Sequence, residues 1–300
     1  MRPAFASHRP SVGPRLAAVV AVCALVLAAS GCAPQQDSTA ASGASGSAAA
    51  SCAPGALRTH TAGKLTIGTD KPAYAPWFQD DNPADGKGFE AATAYAVAKR
   101  LGYDASQVVW QTVPFNNAIT PGAKSFDLDL NQVSISDERR RAVDFSSGYY
   151  DVRQALIAPK GSKIANARSI ADLRGAKLGA QVGTTSLDVL THVVKPTQQP
   201  AIYQKNDLAK SALKNGQVDG IVVDLPTAFY ITSAEVTDAK VVGQFADTGG
   251  QPEQFGFVLD KGSPLTACVS RAVDALRANG TLAALDKRWL SEAVNAPVLK

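Results

Sequence analysis

Asp127 to Tyr150, DLDLNQVSISDERRRAVDFSSGYY, is the segment that decides the fold. Apolar and polar residues alternate in its first positions, which is typical of a β-strand. Ser136 then suits a helix N-cap, and the two acids after it favour the first turn of a helix. We expect Arg139 to lie in that turn, close to the carboxyl end of the strand, where open α/β sheets bind small ligands. Its planar guanidinium matches a carboxylate.

Strand and helix patterns alternate along the chain from Lys64 onwards. Short apolar runs such as 64–69 and 220–224 predict strands, and longer periodic runs such as 90–101 and 207–215 predict helices. This alternation is typical of an α/β fold. A body of roughly 240 residues is large for one hydrophobic core, and it favours two lobes.

The N-terminal residues have the pattern of an export signal. In 1–31, arginines precede an apolar run that is too short to span a bilayer. Small residues directly before Cys32 predict a lipoprotein, with Cys32 as the lipid anchor; the alternative is an ordinary export signal. Residues 32–55 are mostly Ala, Ser and Gly, which predicts a flexible tether. We therefore expect an exported protein, held by its lipid on the outer face of the cell membrane.

Charge and cysteine content narrow the function classes. The formal net charge is +4, and removal of the signal, with its three arginines, brings it close to neutral. Since no basic cluster with interleaved aromatics occurs, nucleic acid is not an expected partner. Cys52 and Cys268 remain beyond the signal and the anchor, and in an exported chain they predict a disulfide. The alternative is two separate buried thiols, and their spacing fits no metal site.

The 127–150 segment also resembles a motif of the polar-amino-acid substrate-binding proteins of bacterial ABC importers, the family 3 extracellular solute-binding proteins. That family has a strand followed by S-I-T-x-E-R and then V-D-F-S-x-x-Y-Y. Here 134–139 reads SISDER and 143–150 reads VDFSSGYY. The likeness runs in order from TIGTD at 66–70 to KRW at 287–289. It is specific for the family but not for the ligand.

The resemblance implies a two-lobed, periplasmic-binding-protein-like (class II) α/β fold. Each lobe would be a mixed sheet flanked by helices, and two hinge strands would join the lobes. Transposed to this chain, lobe 1 is 56–149 with 255–294, and lobe 2 is 154–250. The hinges are 150–153 and 251–254.

An amino acid bound between the lobes needs a cation for its carboxylate. The resemblance assigns this to Arg139; the alternative is a surface arginine paired with the acids that precede it. Gly183, Thr184 and Thr185 follow a predicted strand and open a helix, where backbone N–H groups and hydroxyls favour an anion. The family has the same Gly-Thr-Thr facing its arginine. The alternative is a plain turn with a threonine cap.

The ammonium group of the ligand needs an acid. Asp224 ends a predicted strand at the family's position for this acid, and Asp70, after the first strand, assists it. The alternative for both is a turn or helix-cap aspartate. Ser134 adds a hydroxyl, and Gln132, which stands where relatives often have Ser or Thr, points its amide inward.

Aromatic residues after the first two strands are expected to form the walls of the pocket. Tyr74, Trp77 and Phe78 follow the first strand, and Phe115 follows the second. Such walls suit a cation or a flat amide. The alternative is ordinary core packing. Glu90 replaces the family's common Asp and is not assigned to the ligand.

The sequence contains no Gly-x-Ser-x-Gly, P-loop, Gly-x-Gly-x-x-Gly, His-Glu-x-x-His or Cys-x-x-Cys pattern. The resemblance implies a monomeric binding protein without enzyme activity, cofactor or metal. It would close around a polar amino acid and deliver it to the membrane subunits of an ABC permease. Two alternatives stay open: a periplasmic dehydratase acting on prephenate or arogenate on the same fold, and a ligand-sensing receptor component.

Overall fold

The structure is a computed structural model and describes residues 52–53, 55–247, 252–290 and 296–300. The predicted signal at 1–31, the predicted anchor Cys32 and most of the tether at 32–55 lie outside the described residues. So do residues 248–251, where predicted lobe 2 ends and the second predicted hinge begins. In the part of the chain that is described, none of the helices has the length and hydrophobicity needed to cross a bilayer.

Short strands and helices alternate along the described chain. The strands are β1 (Leu65–Thr69), β2 (Val108–Thr112), β3 (Leu128–Asp129), β4 (Asp144–Phe145), β5 (Tyr150–Val152), β6 (Gln154–Pro159), β7 (Leu178–Gln181), β8 (Ala201–Tyr203), β9 (Gly220–Asp224), β10 (Ala239–Phe245), β11 (Glu253–Phe255), β12 (Val258–Leu259) and β13 (Val298–Leu299). The helices are α1 (Phe89–Arg100), α2 (Phe115–Ile119), α3 (Asp137–Arg140), α4 (Thr185–Asp188), α5 (Asn206–Lys214), α6 (Leu225–Tyr230), α7 (Thr266–Ala278) and α8 (Thr281–Trp289). The first π-helical segment, Val189–Val194, continues α4, and the second, Ile231–Glu235, continues α6.

Two mixed sheets form the centres of two lobes. The sheet of lobe 1 has the order β2-β1-β3-β12-β4, in which β1 is parallel to both of its neighbours and β12 is antiparallel to both of its own. The sheet of lobe 2 has the order β13-β10-β6-β9-β7-β8. There β7 runs parallel to β8 and β9, whereas β6 runs antiparallel to β9 and β10. Sheets of mixed direction are common among large α/β folds.

A two-stranded antiparallel ladder connects the lobes. In it β5 pairs with β11, so that Tyr150 lies opposite Phe255 and Val152 lies opposite Glu253. The chain passes through β5 into the sheet of lobe 2 and returns through β11 to the sheet of lobe 1. Paired crossing strands of this kind can absorb a hinge rotation between two packed bodies.

The last strand was not predicted from the sequence. β13 lies beside β10, with Val298 opposite Gln244 and Leu299 opposite Phe245, so the C-terminus of the chain completes the sheet of lobe 2. A strand of two residues is too short to show any periodicity, and its pairing depends on a partner far away in sequence.

The strand predicted over 127–132 is only two residues long, and its polar residues are not exposed. Asp127 is 3% exposed and accepts the backbone N–H groups of His60 and Thr66, each at 2.7 Å. Asp129 is fully buried, and neither of its oxygens has a hydrogen-bond partner among the described residues. Helices cover both faces of such a sheet, so the alternation here does not mark a solvent face.

A disulfide ties the start of the described chain to lobe 1. Cys52 is bonded to Cys268 of α7, with the two Cα atoms 5.5 Å apart. Cys268 is 1% exposed and belongs to the main hydrophobic core of this lobe. The pair is therefore a bridge in this structure and not two separate thiols.

Candidate functional site

The cleft between the lobes contains most of the residues that the sequence singled out. Lobe 1 contributes Asp70, Tyr74, Phe115, Asn131, Gln132 and Arg139, and lobe 2 contributes Gln181, Thr184, Thr185, Ser186, Asn206, Val223 and Asp224. Asp70 follows β1 and Asp224 ends β9, so the cleft lies at the carboxyl ends of the strands, as expected for an open α/β sheet. Arg139, Thr185 and Asp224 share this one cleft.

Arg139 lies in the first turn of α3, where the sequence placed it. The hydroxyl of Ser136 accepts its backbone N–H at 3.2 Å, which is the predicted N-cap. Its guanidinium donates to the carbonyl oxygens of Ser134 and Gly183, the second at 3.0 Å, and lies 5.7 Å from the centre of the Phe115 ring. The guanidinium is thus held in the cleft by these contacts.

The three residues of the Gly-Thr-Thr segment have different structural roles. Gly183 has a φ of +74°, and a Cβ there would lie 2.4 Å from Oδ1 of Asn116, so glycine is required. Thr184 caps α4, because its hydroxyl accepts the backbone N–H of Leu187. Thr185 lines the cleft, and its hydroxyl donates to Oε1 of Glu253 at 2.7 Å. Gly183 presents its carbonyl to Arg139 and lines a cavity that neighbours the cleft cavity, together with Arg139 and Thr185.

Asp224 is not a helix cap. It precedes α6, but its side chain makes no capping hydrogen bond; Oδ1 instead accepts from Nε2 of Gln154 at 2.8 Å. Loss of hydration, followed by the nearby negative charge of Glu253, raises the pKa of Asp224 to about 8. A cation placed beside this carboxyl would favour its ionised form, so the position suits an ammonium group.

Asp70 and Ser134 have supporting positions. The carboxylate of Asp70 lines the cleft, yet it accepts the backbone N–H groups of Lys71 at 2.7 Å and Phe115 at 3.3 Å. Both sequence interpretations of Asp70, a cleft acid and a turn aspartate, therefore apply. Ser134 is 2% exposed and lies behind the lining, where its hydroxyl donates to Glu253.

Gln132 is held in a strained conformation by Glu90. Its φ of +51° lies in the left-handed region, which is uncommon for a residue other than glycine. Its backbone N–H donates to Oε1 of Glu90 at 2.7 Å, and its amide nitrogen donates to Oε2. Burial raises the pKa of Glu90 to about 7, although Tyr149 and Gln132 both donate to it. Gln132 lines the cleft, but its amide nitrogen points to this buried acid.

The prediction that Trp77 contacts the ligand is corrected by the structure. Trp77 is fully buried and packs edge-to-face in the core of lobe 1, and its indole N–H donates to the hydroxyl of Thr227 at 2.8 Å. Phe78 is also fully buried. Large rings after a strand pack into the core as readily as into a pocket, and their chain position does not separate the two. Tyr74 and Phe115 do line the cleft.

Several polar residues of the site were missed from the sequence: Asn131, Gln181, Ser186 and Asn206 line the cleft, and Glu253 and Gln154 lie beside it. Glu253 of β11 accepts the hydroxyl of Thr185 at 2.7 Å, and the amide nitrogen of Gln154 lies 3.3 Å from each of its oxygens. Gln154 is 3% exposed and its Oε1 accepts from Ser186. Two features of the sequence could have indicated the two residues beside the cleft: Gln154 is a polar residue at the start of an apolar strand, and Glu253 is an acid within the predicted hinge.

Similarity to known proteins covers most of the chain. The family "Bacterial extracellular solute-binding proteins, family 3" matches residues 65–292. The L-cystine-binding protein TcyJ of Escherichia coli (strain K12) is 30% identical over 238 residues, which are 77% of this chain and 84% of that protein. An ancestral arginine-binding protein bound to arginine has a TM-score of 0.64 at 28% identity, covering 77% of this chain and 99% of its own.

A further solved structure bears on the enzyme alternative. An ancestral amino acid-binding protein, described as a precursor of cyclohexadienyl dehydratase, has a TM-score of 0.63 at 28% identity, over 76% of this chain and 95% of its own. With the sheets described above, these similarities confirm the predicted two-lobed α/β fold. The ligand roles of the individual cleft residues stay predictions.

Proposed function

Because the chain belongs to the bacterial extracellular solute-binding proteins of family 3, we propose that its cleft captures a polar amino acid and that the protein delivers it to the membrane subunits of an ABC permease. The observation that carries the proposal is the convergence of Arg139, Thr185 and Asp224 on one cleft. A guanidinium and a hydroxyl suit a carboxylate, and an acid beside them suits an ammonium group.

The cleft groups come from both lobes, and this couples binding to closure. Arg139 stands on lobe 1, whereas Thr185 and Asp224 stand on lobe 2. A ligand that contacts all three binds the closed arrangement better than an open one, and this difference in affinity drives the hinge motion. A micromolar dissociation constant corresponds to about −8 kcal/mol, which two charge-assisted contacts and the burial of a side chain can supply.

The side chain of the ligand meets a polar surface. Asn131, Gln181 and Asn206 bring three amides to the cleft, and Tyr74 adds an aromatic ring. Related proteins bind L-cystine and arginine, both of which have polar side chains. These amides and the ring favour a polar amino acid over an aliphatic one, because they would lose hydrogen bonds beside an apolar side chain.

Delivery requires the protein to stay near the membrane. In the proposal, export through the signal at 1–31 and a lipid on Cys32 hold a monomer on the outer face, and the tether allows it to reach the permease. Cys32→Ser is expected to move the protein from the membrane fraction into the soluble fraction of the producing cells. Unchanged sedimentation with membranes would contradict the anchor and leave the binding function intact.

The binding function is tested by a thermal-shift panel on the purified protein. The twenty amino acids and L-cystine are added one at a time, and each hit is titrated by isothermal calorimetry. A polar amino acid is expected to raise the melting temperature and to bind with one-to-one stoichiometry. A panel in which no amino acid shifts the melting temperature or gives heat would refute the proposal.

A dehydratase is the second candidate, and one observation favours it. Asp224 lies in the cleft with a pKa raised to about 8, so it holds a proton at neutral pH and could donate it to a leaving hydroxyl. The solved ancestor of a cyclohexadienyl dehydratase has the same fold. Incubation of the protein with prephenate or arogenate, followed by product analysis, distinguishes this candidate from a protein that only binds.

A further inference from the structure

The carboxylate of Glu253 lies among the donors that the proposed ligand needs for its own carboxylate. Its Oε1 accepts from the hydroxyl of Thr185 at 2.7 Å and from the hydroxyl of Ser134. The amide nitrogen of Gln154 is 3.3 Å from both of its oxygens. Ser134 belongs to lobe 1 and the other two donors belong to lobe 2, whereas Glu253 stands on the hinge strand β11.

The charge of Glu253 also acts on both charged groups of the cleft. After loss of hydration, it is the next cause that raises the pKa of Asp224. Burial lowers the pKa of Arg139, and among the neighbouring charges that raise it again Glu253 has the largest effect. A single carboxylate thus interacts with the guanidinium and with the acid that is expected to hold an ammonium group, as the carboxylate of an amino acid would.

Glu253 does not line the cleft cavity itself, which is about 30 Å³ and has room for roughly two waters. Together with Gln154 and Thr185 it lines a neighbouring cavity of about 560 Å³, which gives its side chain space to move away from the donors. Glu253 is only partly buried, and its flexible side chain can leave by rotation about its own bonds while β11 stays in place.

We propose, on the basis of the proposed function, that Glu253 is an internal competitor for the ligand's carboxylate. Glu253 links the two lobes through Ser134, Thr185 and Gln154, and an amino acid has to displace it from these donors in order to bind. Glu253 therefore sets the affinity for amino acids. A ligand that lacks a carboxylate leaves Glu253 in place and gains from its negative charge.

The test compares an amino acid with its decarboxylated amine on the parent protein and on Glu253→Ala. The probe is the amino acid with the largest thermal shift together with its amine, for example L-arginine with agmatine. Removal of the competitor is expected to tighten amino-acid binding by about tenfold to a hundredfold, since it frees donors that held hydrogen bonds to a charged group. The amine is expected to bind equally or more weakly. Calorimetry measures both dissociation constants.

Asp151→Asn is the matched control. Asp151 is an exposed carboxylate on the partner hinge strand β5, and it accepts a hydrogen bond from Gln254 at 2.7 Å without contacting the cleft donors. Its replacement should leave both affinities unchanged. Glu253→Gln keeps the shape of the side chain and removes its charge, so it should give an intermediate gain; circular dichroism verifies that each variant is folded.

A second readout does not depend on any ligand. Because Glu253 links donors of both lobes, Glu253→Ala is expected to increase the radius of gyration of the protein in small-angle X-ray scattering. If the parent binds an amino acid but Glu253→Ala binds it no more tightly, the competitor role is wrong while the proposed function stands. If no amino acid binds the parent, the proposed function fails, and an unchanged radius of gyration would then overturn the link as well.

Discussion

The guanidinium of Arg139 donates a hydrogen bond to the carbonyl oxygen of Gly183 at 3.0 Å, and this bond joins lobe 1 to lobe 2. On the side of lobe 2, the position of this carbonyl depends on glycine, because Gly183 has a positive φ and no room for a Cβ beside Asn116. On the side of lobe 1, the carbonyl of Ser134 and the ring of Phe115 hold the guanidinium. The group proposed to bind the carboxylate is therefore also part of the contact between the lobes.

Arg139→Ala is expected to weaken amino-acid binding by more than about a hundredfold, because the ligand's carboxylate loses a charged donor and the lobes lose a contact. Arg139→Lys should recover part of the affinity, since an ammonium keeps the charge but not the planar fork. Calorimetry measures the loss. Arg140→Ala serves as the control: Arg140 is exposed and its guanidinium lies 5.8 Å from the centre of the Phe145 ring. Equal losses in the two alanine variants would contradict the role of Arg139.

Binding is expected to depend on pH through Asp224. Its pKa of about 8 in the free protein means that the carboxyl is mostly protonated below pH 8, whereas an ammonium ligand requires the ionised form. The dissociation constant should therefore rise as the pH falls from 8 to 6, with a slope that approaches about tenfold per pH unit. A proton should be released on binding. Calorimetry in buffers of different ionisation enthalpy measures that proton. Asp224→Asn should bind weakly, with a flat profile over this range; a parent profile that is flat over the same range would contradict this role.

Asp129 is expected to make the protein less stable at high pH. Burial, and then the charges of Glu90 and Asp70, raise its pKa well above the ordinary value, so the folded state keeps a proton that the unfolded state has lost. Stability due to this group is present at low pH and is lost as the pH rises. Asp129→Asn, which never ionises, should come closest to the parent below the ordinary pKa of 3.8 and should exceed it by a growing margin as the pH rises to 9, in urea denaturation.

Asp127 provides the contrasting variant. It lies two residues away in the same segment, but its two oxygens accept the backbone N–H groups of His60 and Thr66. Asp127→Asn keeps only one acceptor oxygen and is expected to lower the free energy of unfolding by about 1–3 kcal/mol. If both substitutions changed the free energy of unfolding equally at pH 9, the hydrogen bonds to Asp127 would not explain a difference between the two acids.

Trp77→Phe should lower stability without changing the order in which amino acids are preferred. The substitution removes the buried hydrogen bond from the indole N–H to Thr227, at a cost of about 1–3 kcal/mol. Trp77 does not line the cleft, so the side chain of the ligand does not contact it. The thermal-shift panel repeated on the variant checks this. A changed order of preferred amino acids would show that Trp77 does contact the side chain of the ligand.

The bond between Cys52 and Cys268 is expected to stabilise the fold. It closes a loop across 216 residues of sequence, and the loss of a native disulfide typically costs about 2–5 kcal/mol. Cys52→Ser should lower the free energy of unfolding, measured by urea denaturation, by this amount. Dithiothreitol should lower the urea midpoint of the parent but not that of the variant. Insensitivity of the parent to reductant would contradict the bridge.

Many of the regular elements could be predicted because their signals are local. β9 has the predicted bounds, and β1, α1 and α5 lie within one residue of theirs. Arg139 could be placed for the same reason, since the cap by Ser136 acts over three residues. The helix predicted to begin at the Gly-Thr-Thr segment is interrupted: it is α-helical for four residues and π-helical afterwards, and periodicity does not distinguish the two.

By itself, the sequence determined the two-lobed α/β class and the placing of Arg139, Thr185 and Asp224 at the ends of their elements. Only the tertiary structure decided that Trp77 is buried against Thr227 and that Glu90 holds Gln132. It also brought Glu253 to the donors of the cleft. These contacts join residues 42 to 150 positions apart. Periodicity and capping describe how one segment is buried and where it ends, whereas partner choice across the chain depends on packing and on side-chain rotamers that no single segment encodes.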